Sequence, residues 1–407
     1  MFRFLTISAD PTGNPRRPAA WIAGLFWLGV VLFLTLRPDP SAAVAVAASP
    51  WHCLLCGEAG TADFLVNLML FAPLGAALAG LGWRLGPSAA LIAGCSVMIE
   101  VIQGVALPGR DAALGDVVAN AIGGGVGWLA AMAFNRQLPT LVPAAAVGLF
   151  GAQLLATTWL SAPAAELPNA SILVAPAVPG RPVYRGTLGG LAVNGRLLHG
   201  TEPEAIGVSG STMAAAFRWS DRDQPGTIPV VRVEDERGWD VAAAGQAEEG
   251  VALSVRTRGG SWRLRTPTWL ASLPAKPQAG DAVTAAVTLS SGAAVVIGVA
   301  GGVTTTRELR HGAQHGWLLL HPWAPPGSAD SDWRWWTVCW LAAWGVVLGL
   351  VAARRRPLWW GGAAVSVLAL ATIAGGAPAT PLEYLGFVTG LVAGVSSGSL
   401  HRPRGAA

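Results

Sequence analysis

Apolar runs of about twenty residues alternate with short polar joints along the first part of the chain, stop near residue 163, and resume near residue 333. The first run, Trp21 to Leu36, follows a polar start that carries Arg3, Arg16 and Arg17. Four more cover about 63–82, 86–106, 115–134 and 140–161, and three close the chain at about 333–352, 358–375 and 384–400. Each approaches the ~20 residues that a helix needs to cross hydrocarbon. The pattern predicts a polytopic α-helical membrane protein with about eight transmembrane helices. The first run has a second reading as a cleaved signal peptide, because small residues recur in SAAVAVAAS. Arg37, Pro38 and Asp39 set that stretch further from the apolar run than cleavage sites normally lie, so an uncleaved helix is expected.

Between 163 and 331 the period changes. Short alternating runs stand between Gly, Pro and Asp/Asn turns: 213–219, 228–234, 251–257, 261–265, 282–289, 293–300, 303–309 and 316–321. Their spacing and turn chemistry predict an inserted all-β sandwich. Trp333, Trp335, Trp336 and Trp340 then open the sixth helical run as an interfacial aromatic belt.

Composition agrees with a membrane setting. Hydrophobic residues make up 52% of the chain and charged residues only 12%, whereas soluble domains carry roughly 25% charged residues. A net charge of +4 with no basic block argues against nucleic acid as a partner. Arginine placement gives orientation. With residues 1–19 cytoplasmic, Arg84, Arg136, Arg354 to Arg356 and the tail 401–407 all fall inside, which satisfies the positive-inside rule. The sandwich at 163–331 is then extracytoplasmic, between a five-helix domain at 20–161 and three helices at 333–400.

Polar pairs interrupt three of the apolar runs: Asp63 with Asn67, Glu100 with Gln103, and Asp116 with Asn120. Spacings of three and four put each pair on one helix face. Under this topology all six converge at the outer ends of neighbouring helices, joined there by Arg110 and Asp111 of the outer loop. Two readings remain open. The cluster is a packing network in which Arg110 neutralises acids and the amides tie helices together; or it is a polar pocket for a membrane lipid headgroup or a lipid-linked or cell-wall glycan. If the pocket is catalytic, Glu100 and Asp116 are the candidate acid/base pair. No nucleophile motif or phosphate loop accompanies them, and the spacing of the acids predicts neither a metal site nor another cofactor.

Of the four cysteines, Cys95 and Cys339 lie in apolar runs, while Cys53 and Cys56 form a lone CxxC in an outer loop. A local disulfide is expected there if the loop faces an oxidising compartment. In AIGGGVGW (121–128), the glycines predict a close helix crossing.

These residues resemble the VanZ-like family of bacterial membrane proteins, named for an accessory protein of glycopeptide (teicoplanin) resistance. Asp63 with Asn67, the Phe71-x-Pro73-x-Gly75 step, Glu100-x-x-Gln103, and Gly109-Arg110 followed by Asp116-x-x-x-Asn120 carry the resemblance over about residues 20–135. It implies a polytopic helical domain of the bacterial cytoplasmic membrane, a cell-envelope role and a link to glycopeptide antibiotic resistance. The external domain more faintly resembles a concanavalin-like or laminin-G-type jelly roll, on VALSVRTRGGSWRLR and AVTAAVTL. Many such domains bind glycan, some through calcium, but no calcium ligand set is evident. The acids Asp221, Asp223, Glu234, Asp235 and Glu236 are expected to form a solvated surface. No feature of the sequence fixes an oligomeric state.

Overall fold

The computed structural model describes residues 16–36, 51–55, 57–107, 112–135, 141–164, 170–174, 176, 183–193, 195–198, 211–221, 227–248, 250–290, 293–320, 330–353 and 357–400. The chain divides into two compact units, one comprising residues 1–56 and 64–137, the other 57–63 and 138–407.

The first unit holds helices α1 (Arg16–Thr35), α2 (Gly60–Gly80) from Phe64 onward, α3 (Leu85–Ala106) and α4 (Leu114–Asn135). Phe71, Leu74, Leu78, Ile92 and Ile99 form its apolar core together with Val31. Close packing depends on missing side chains. A Cβ at Gly123 or Gly127 of α4 would collide with the carbonyls of Leu68 and Ala72 on α2, and one at Gly75 would strike the backbone of Gly124. The small residues of AIGGGVGW therefore let two helix backbones touch, as small residues do in membrane bundles. Ile22, Phe26 and Phe33 of α1 and Val105 of α3 remain exposed, as lipid-facing positions would be.

The second unit opens with the first turn of α2 and α5 (Leu141–Ser161). Eleven strands follow, interrupted by the short helix α6. These are β1 (Ala170–Val174), β2 (Leu188–Val193), β3 (Arg196–Leu198), β4 (Ser211–Arg218), β5 (Ile228–Asp235), β6 (Asp240–Gln246), β7 (Gly250–Val255), α6 (Arg258–Ser261), β8 (Thr268–Ser272), β9 (Ala282–Ser290), β10 (Ala293–Ala300) and β11 (Val303–Arg310). They form two antiparallel sheets, β1-β5-β6-β7-β8 and β11-β10-β9-β4-β2-β3. Both sheets feed one apolar cluster that includes Met213, Phe217, Val231, Leu253, Trp269, Val287 and Val296. β9 and β10 alternate between buried and less buried positions, whereas β5 and β7 are buried almost throughout.

Two expected strands are absent. Residues 261–265 follow the α6 turn, where Gly259 and Gly260 carbonyls accept from Trp262 and Arg263 and Arg263 takes a left-handed φ of 59°. Such backbone cannot continue a ladder. Residues 316–319 fall in a 3-10 helix, Ala313–Leu319, whose residues are all buried; residue 321 lies outside the described residues. With no exposed face the segment has no period, and an apolar run alone does not separate strand from helix.

The chain ends in α7 (Asp330–Ala352), α8 (Pro357–Ala374) and α9 (Pro381–Leu400). Phe150 of α5 stacks on Phe387 of α9 at 5.3 Å and lies 5.3 Å from Trp344 of α7. Gly386, Gly390, Gly394 and Gly398 form a four-residue repeat along α9, and each lies against α7 or the residue that follows it, at Val338, Ala342, Val346 and Ala353. Thr380 and Glu383 cap α9 reciprocally, the Thr380 N–H donating to Glu383 Oε2 at 2.6 Å.

Candidate functional site

α3 is apolar overall, yet its buried residues are Ser88, Ile92, Ser96, Ile99, Glu100 and Gln103. Ser96, Glu100 and Gln103 follow at spacings of four and three, so they form a polar stripe turned inward. Each has a partner. Asn120, in the second turn of α4 and 2% exposed, donates through Nδ2 to Ser96 Oγ at 2.8 Å. Glu100 Oε2 accepts the Ala113 N–H at 2.9 Å, immediately before α4. Gln103 Nε2 donates to the Thr35 carbonyl at 2.8 Å, at the end of α1. The stripe thus ties α3 to α1 and α4 through side-chain bonds in an apolar surround, where leaving a partner unpaired is costly. One atom breaks the accounting: Asn120 Oδ1 is buried and accepts no hydrogen bond.

The start of α4 is held from a second direction. The Leu114 and Gly115 N–H groups donate to the carbonyls of Trp51 and Cys53 at 2.8 and 3.0 Å, and Gly115 has no room for a Cβ beside Leu54. The stretch before α2 therefore supplies acceptors for orphan amides at a helix N-terminus. Cys53 is disulfide-bonded, and Cys95 and Cys339 are free thiols. Cys56 lies outside the described residues.

Glu100, Gln103 and Asn120 of the expected cluster thus join one hydrogen-bonded system, with Ser96 and the backbone of Thr35 and Ala113 added. Asp116 lies one turn before Asn120 in the first turn of α4. Asn67 is half-buried on α2. Asp63 belongs to the second unit, where its Oδ1 accepts from Arg265 Nη2 at 2.6 Å. Arg110 and Asp111 lie outside the described residues. Among the described residues no group of three or more His, Cys, Asp or Glu could hold a metal ion.

A second charged cluster, in the five-stranded sheet, corrects the expectation of a solvated acidic surface at Asp235; Asp221 and Glu236 are exposed as expected, and Glu234 is half-buried. Asp235 is 8% exposed, and its Oδ2 pairs with Arg256 Nη1 at 2.8 Å. Burial pushes this carboxyl upward, but Arg256 and the N–H groups of Trp239 and Arg237 outweigh burial and hold it below the usual range. Arg232 bonds Asp240 at 2.7 Å and Glu234 at 3.1 Å. Glu58 is pushed up to about 7 by burial and by nearby Asp240, against the pull of Arg256 and Arg232. Asp223 lies outside the described residues. Asp235 and Arg256 stand 21 residues apart, and their pairing follows from strand order, which no local pattern encodes.

Six helices, Pro18–Thr35, Gly60–Gly80, Leu85–Ala106, Leu114–Ala133, Val142–Ser161 and Arg334–Ala352, are long and apolar enough to cross a membrane, and they define a multi-pass membrane protein. α8 offers a shorter apolar stretch, Leu358–Ala374. Residues 21–135, the stretch that carries the polar stripe, match the VanZ/LLP1 family model and are VanZ-like. No curated protein and no solved structure matches the chain.

Proposed function

We propose that this is a cell-envelope protein of the bacterial cytoplasmic membrane, with eight spans, an extracytoplasmic jelly-roll-like sandwich and a role in binding lipid headgroups or lipid-linked glycan. The observation that carries the reading is the stripe Ser96, Glu100, Gln103 and Asn120, buried in VanZ-like helices and containing an acceptor, Asn120 Oδ1, with no donor. Intramembrane polar groups are costly to keep, and by default they mark ligand sites. An unfilled acceptor suits a hydroxyl or amide donor of a headgroup or sugar. The two remaining spans are α8 and α9; the glycines that press α9 against α7 also lower its hydropathy. The CxxC at Cys53 and Cys56 closes a local disulfide on the outer face. The link to glycopeptide resistance rests on the VanZ-like stretch.

The rival reading is a membrane enzyme that acts on a lipid-linked glycan through Glu100 and Asp116. It is the weaker one because Glu100 already accepts the Ala113 amide. Native mass spectrometry of the purified full chain with a polyprenyl-diphosphate saccharide tests both. Retention by the wild type and loss in Asn120→Ala and Glu100→Gln support binding. Equal retention in all three defeats it, and turnover that stops in Glu100→Gln moves the assignment to the enzyme. Orientation is checked separately: alkaline phosphatase fused after Ala164 should be active, and fused after Arg356 inactive.

A further inference from the structure

The residues that lead into α2 form a junction that the stripe does not explain. Residues 57–63 belong to the second unit and seat on the connection from β7 to β8. The Thr61 and Ala62 N–H groups donate to the Arg263 carbonyl at 3.1 and 3.2 Å, and Asp63 pairs with Arg265. Ala62 is buried with Leu264 and Leu319, and Ala59 packs against them.

Glu58 stands near the start of this segment, half-buried beside a group of charges that is already rich in acid. Arg232 pairs with Asp240 and Glu234, and Arg256 pairs with Asp235. Among the described residues, three carboxylates thus meet two guanidinium groups before Glu58 is counted. Arg256 gives Glu58 no hydrogen bond: Nε donates to the Asp240 carbonyl, Nη1 to Asp235, and the buried Nη2 to no described group. A like charge so close disfavours ionisation, and Asp240 supplies it. Of the other charges on these elements, Asp63 and Arg265 pair with each other, Arg258 lies over Trp159, and Arg237 and Arg263 lie over Trp239. Glu236 in the turn between β5 and β6 is exposed.

We propose that Glu58 is a proton-operated latch. Protonated, it lets residues 57–63 seat on the β7–β8 connection; ionised, it becomes a fourth carboxylate against two guanidinium groups and releases them. Burial and the Asp240 carboxylate push the Glu58 carboxyl up to about 7, against the pull of Arg256 and Arg232. The seated form is therefore favoured below the ~4.3 of a free glutamate, and that advantage is lost as pH rises to about 7. What opens is one junction, while the two sheets keep their core.

Hydrogen–deuterium exchange of the full chain in detergent, read across about pH 5 to 8 and corrected for intrinsic exchange, tests this in peptides that cover Thr61 and Ala62. In the wild type their protection should fall about tenfold over that range and level off near pH 7, while β9 changes little. Glu58→Gln cannot ionise there, so its protection should hold at the acid level throughout. Asp240→Asn serves if Glu58→Gln folds poorly: without the opposing carboxylate, protection should level off at a lower pH than in the wild type. Wild-type protection that stays constant or rises with pH overturns the proposal, as does a fall shared equally by β9. So does a fall that persists in Glu58→Gln, or a levelling point that Asp240→Asn leaves in place.

Discussion

The helices at the two ends of the chain solve one problem with different means. In both, glycine lets backbones approach where a Cβ would collide, through Gly123 and Gly127 in α4 and through the repeat Gly386 to Gly398 in α9. What fills the space beside the glycines differs. Around α5, α7 and α9 it is aromatic, with Phe150, Phe387 and Trp344 in contact. Around α3 and α4 it is polar, with Ser96, Glu100, Gln103 and Asn120 buried. Aromatic stacking needs no partner accounting, whereas every polar atom in the stripe must be satisfied or left at a cost. The stripe is therefore where buried hydrogen bonding ties the VanZ-like helices together, while the contacts of Phe150, Phe387 and Trp344 do the same for the C-terminal helices without it.

The comparison can be broken most severely at Gly390. A leucine there must displace the Ala342 backbone, so Gly390→Leu should abolish monodisperse protein in size-exclusion chromatography. That exceeds ordinary overpacking, which costs ~1–3 kcal/mol. Gly94→Leu, in open space on α3, should express at wild-type yield. Wild-type yield for both variants would remove the architectural half of the contrast.

Glu100→Ala comes next. It strands the Ala113 N–H and should cost ~1–3 kcal/mol, seen as a lower melting temperature, with Glu100→Gln recovering most of the loss. If Ala and Gln melt alike, the carboxylate is not capping α4.

Glu58 lies outside the helices and tests the β-sheet charges. Its folded pKa of about 7 exceeds the ~4.3 of an unfolded glutamate, so the contribution is favourable below about pH 4 and is lost as pH climbs to 7. Glu58→Gln should leave stability unchanged near pH 4 and raise it by about 1 kcal/mol above pH 7, allowing for partial screening. A gain of equal size at both pH values would mean the effect is not ionisation.

The smallest stability change is expected at Asn120. Alanine removes the bond to Ser96, worth ~1 kcal/mol, and leaves the buried Ser96 Oγ without that donor, but it also removes the buried unpaired Oδ1, which offsets part of the loss. Unchanged melting with lost ligand retention would sharpen the contrast between the bundles; a large drop in melting temperature would make the stripe mere glue.

The chain's polar and apolar pattern announced much of this. The apolar helices and Glu100, Gln103 and Asn120 stood out because a carboxylate or amide inside an apolar run is conspicuous, whereas Ser96, a small hydroxyl common in such runs, did not. Strands such as β5, β9 and β10 were legible through valine and isoleucine, but β2 and β6, LGGLAV and DVAAAGQ, are rich in Gly and Ala and were not. The glycine repeat of α9 was in plain view but takes its meaning from α7. Least legible were the stripe's partners: the Thr35 carbonyl and the Ala113 N–H are backbone atoms, identical at every residue, so only the fold selects them.

The first turn of α2 sets a schedule for biosynthesis. Its Thr61 and Ala62 N–H groups both donate to the Arg263 carbonyl, and Asp63 pairs with Arg265, 202 residues later in the chain. A ribosome adding ~5–20 residues per second needs roughly 10–40 s to cover that distance. Throughout that interval the helix has emerged with its opening amides unanswered. A nascent chain arrested before Arg263 should therefore expose Gly60 to Asp63 to proteolysis, and one arrested beyond the emergence of Arg265 should not.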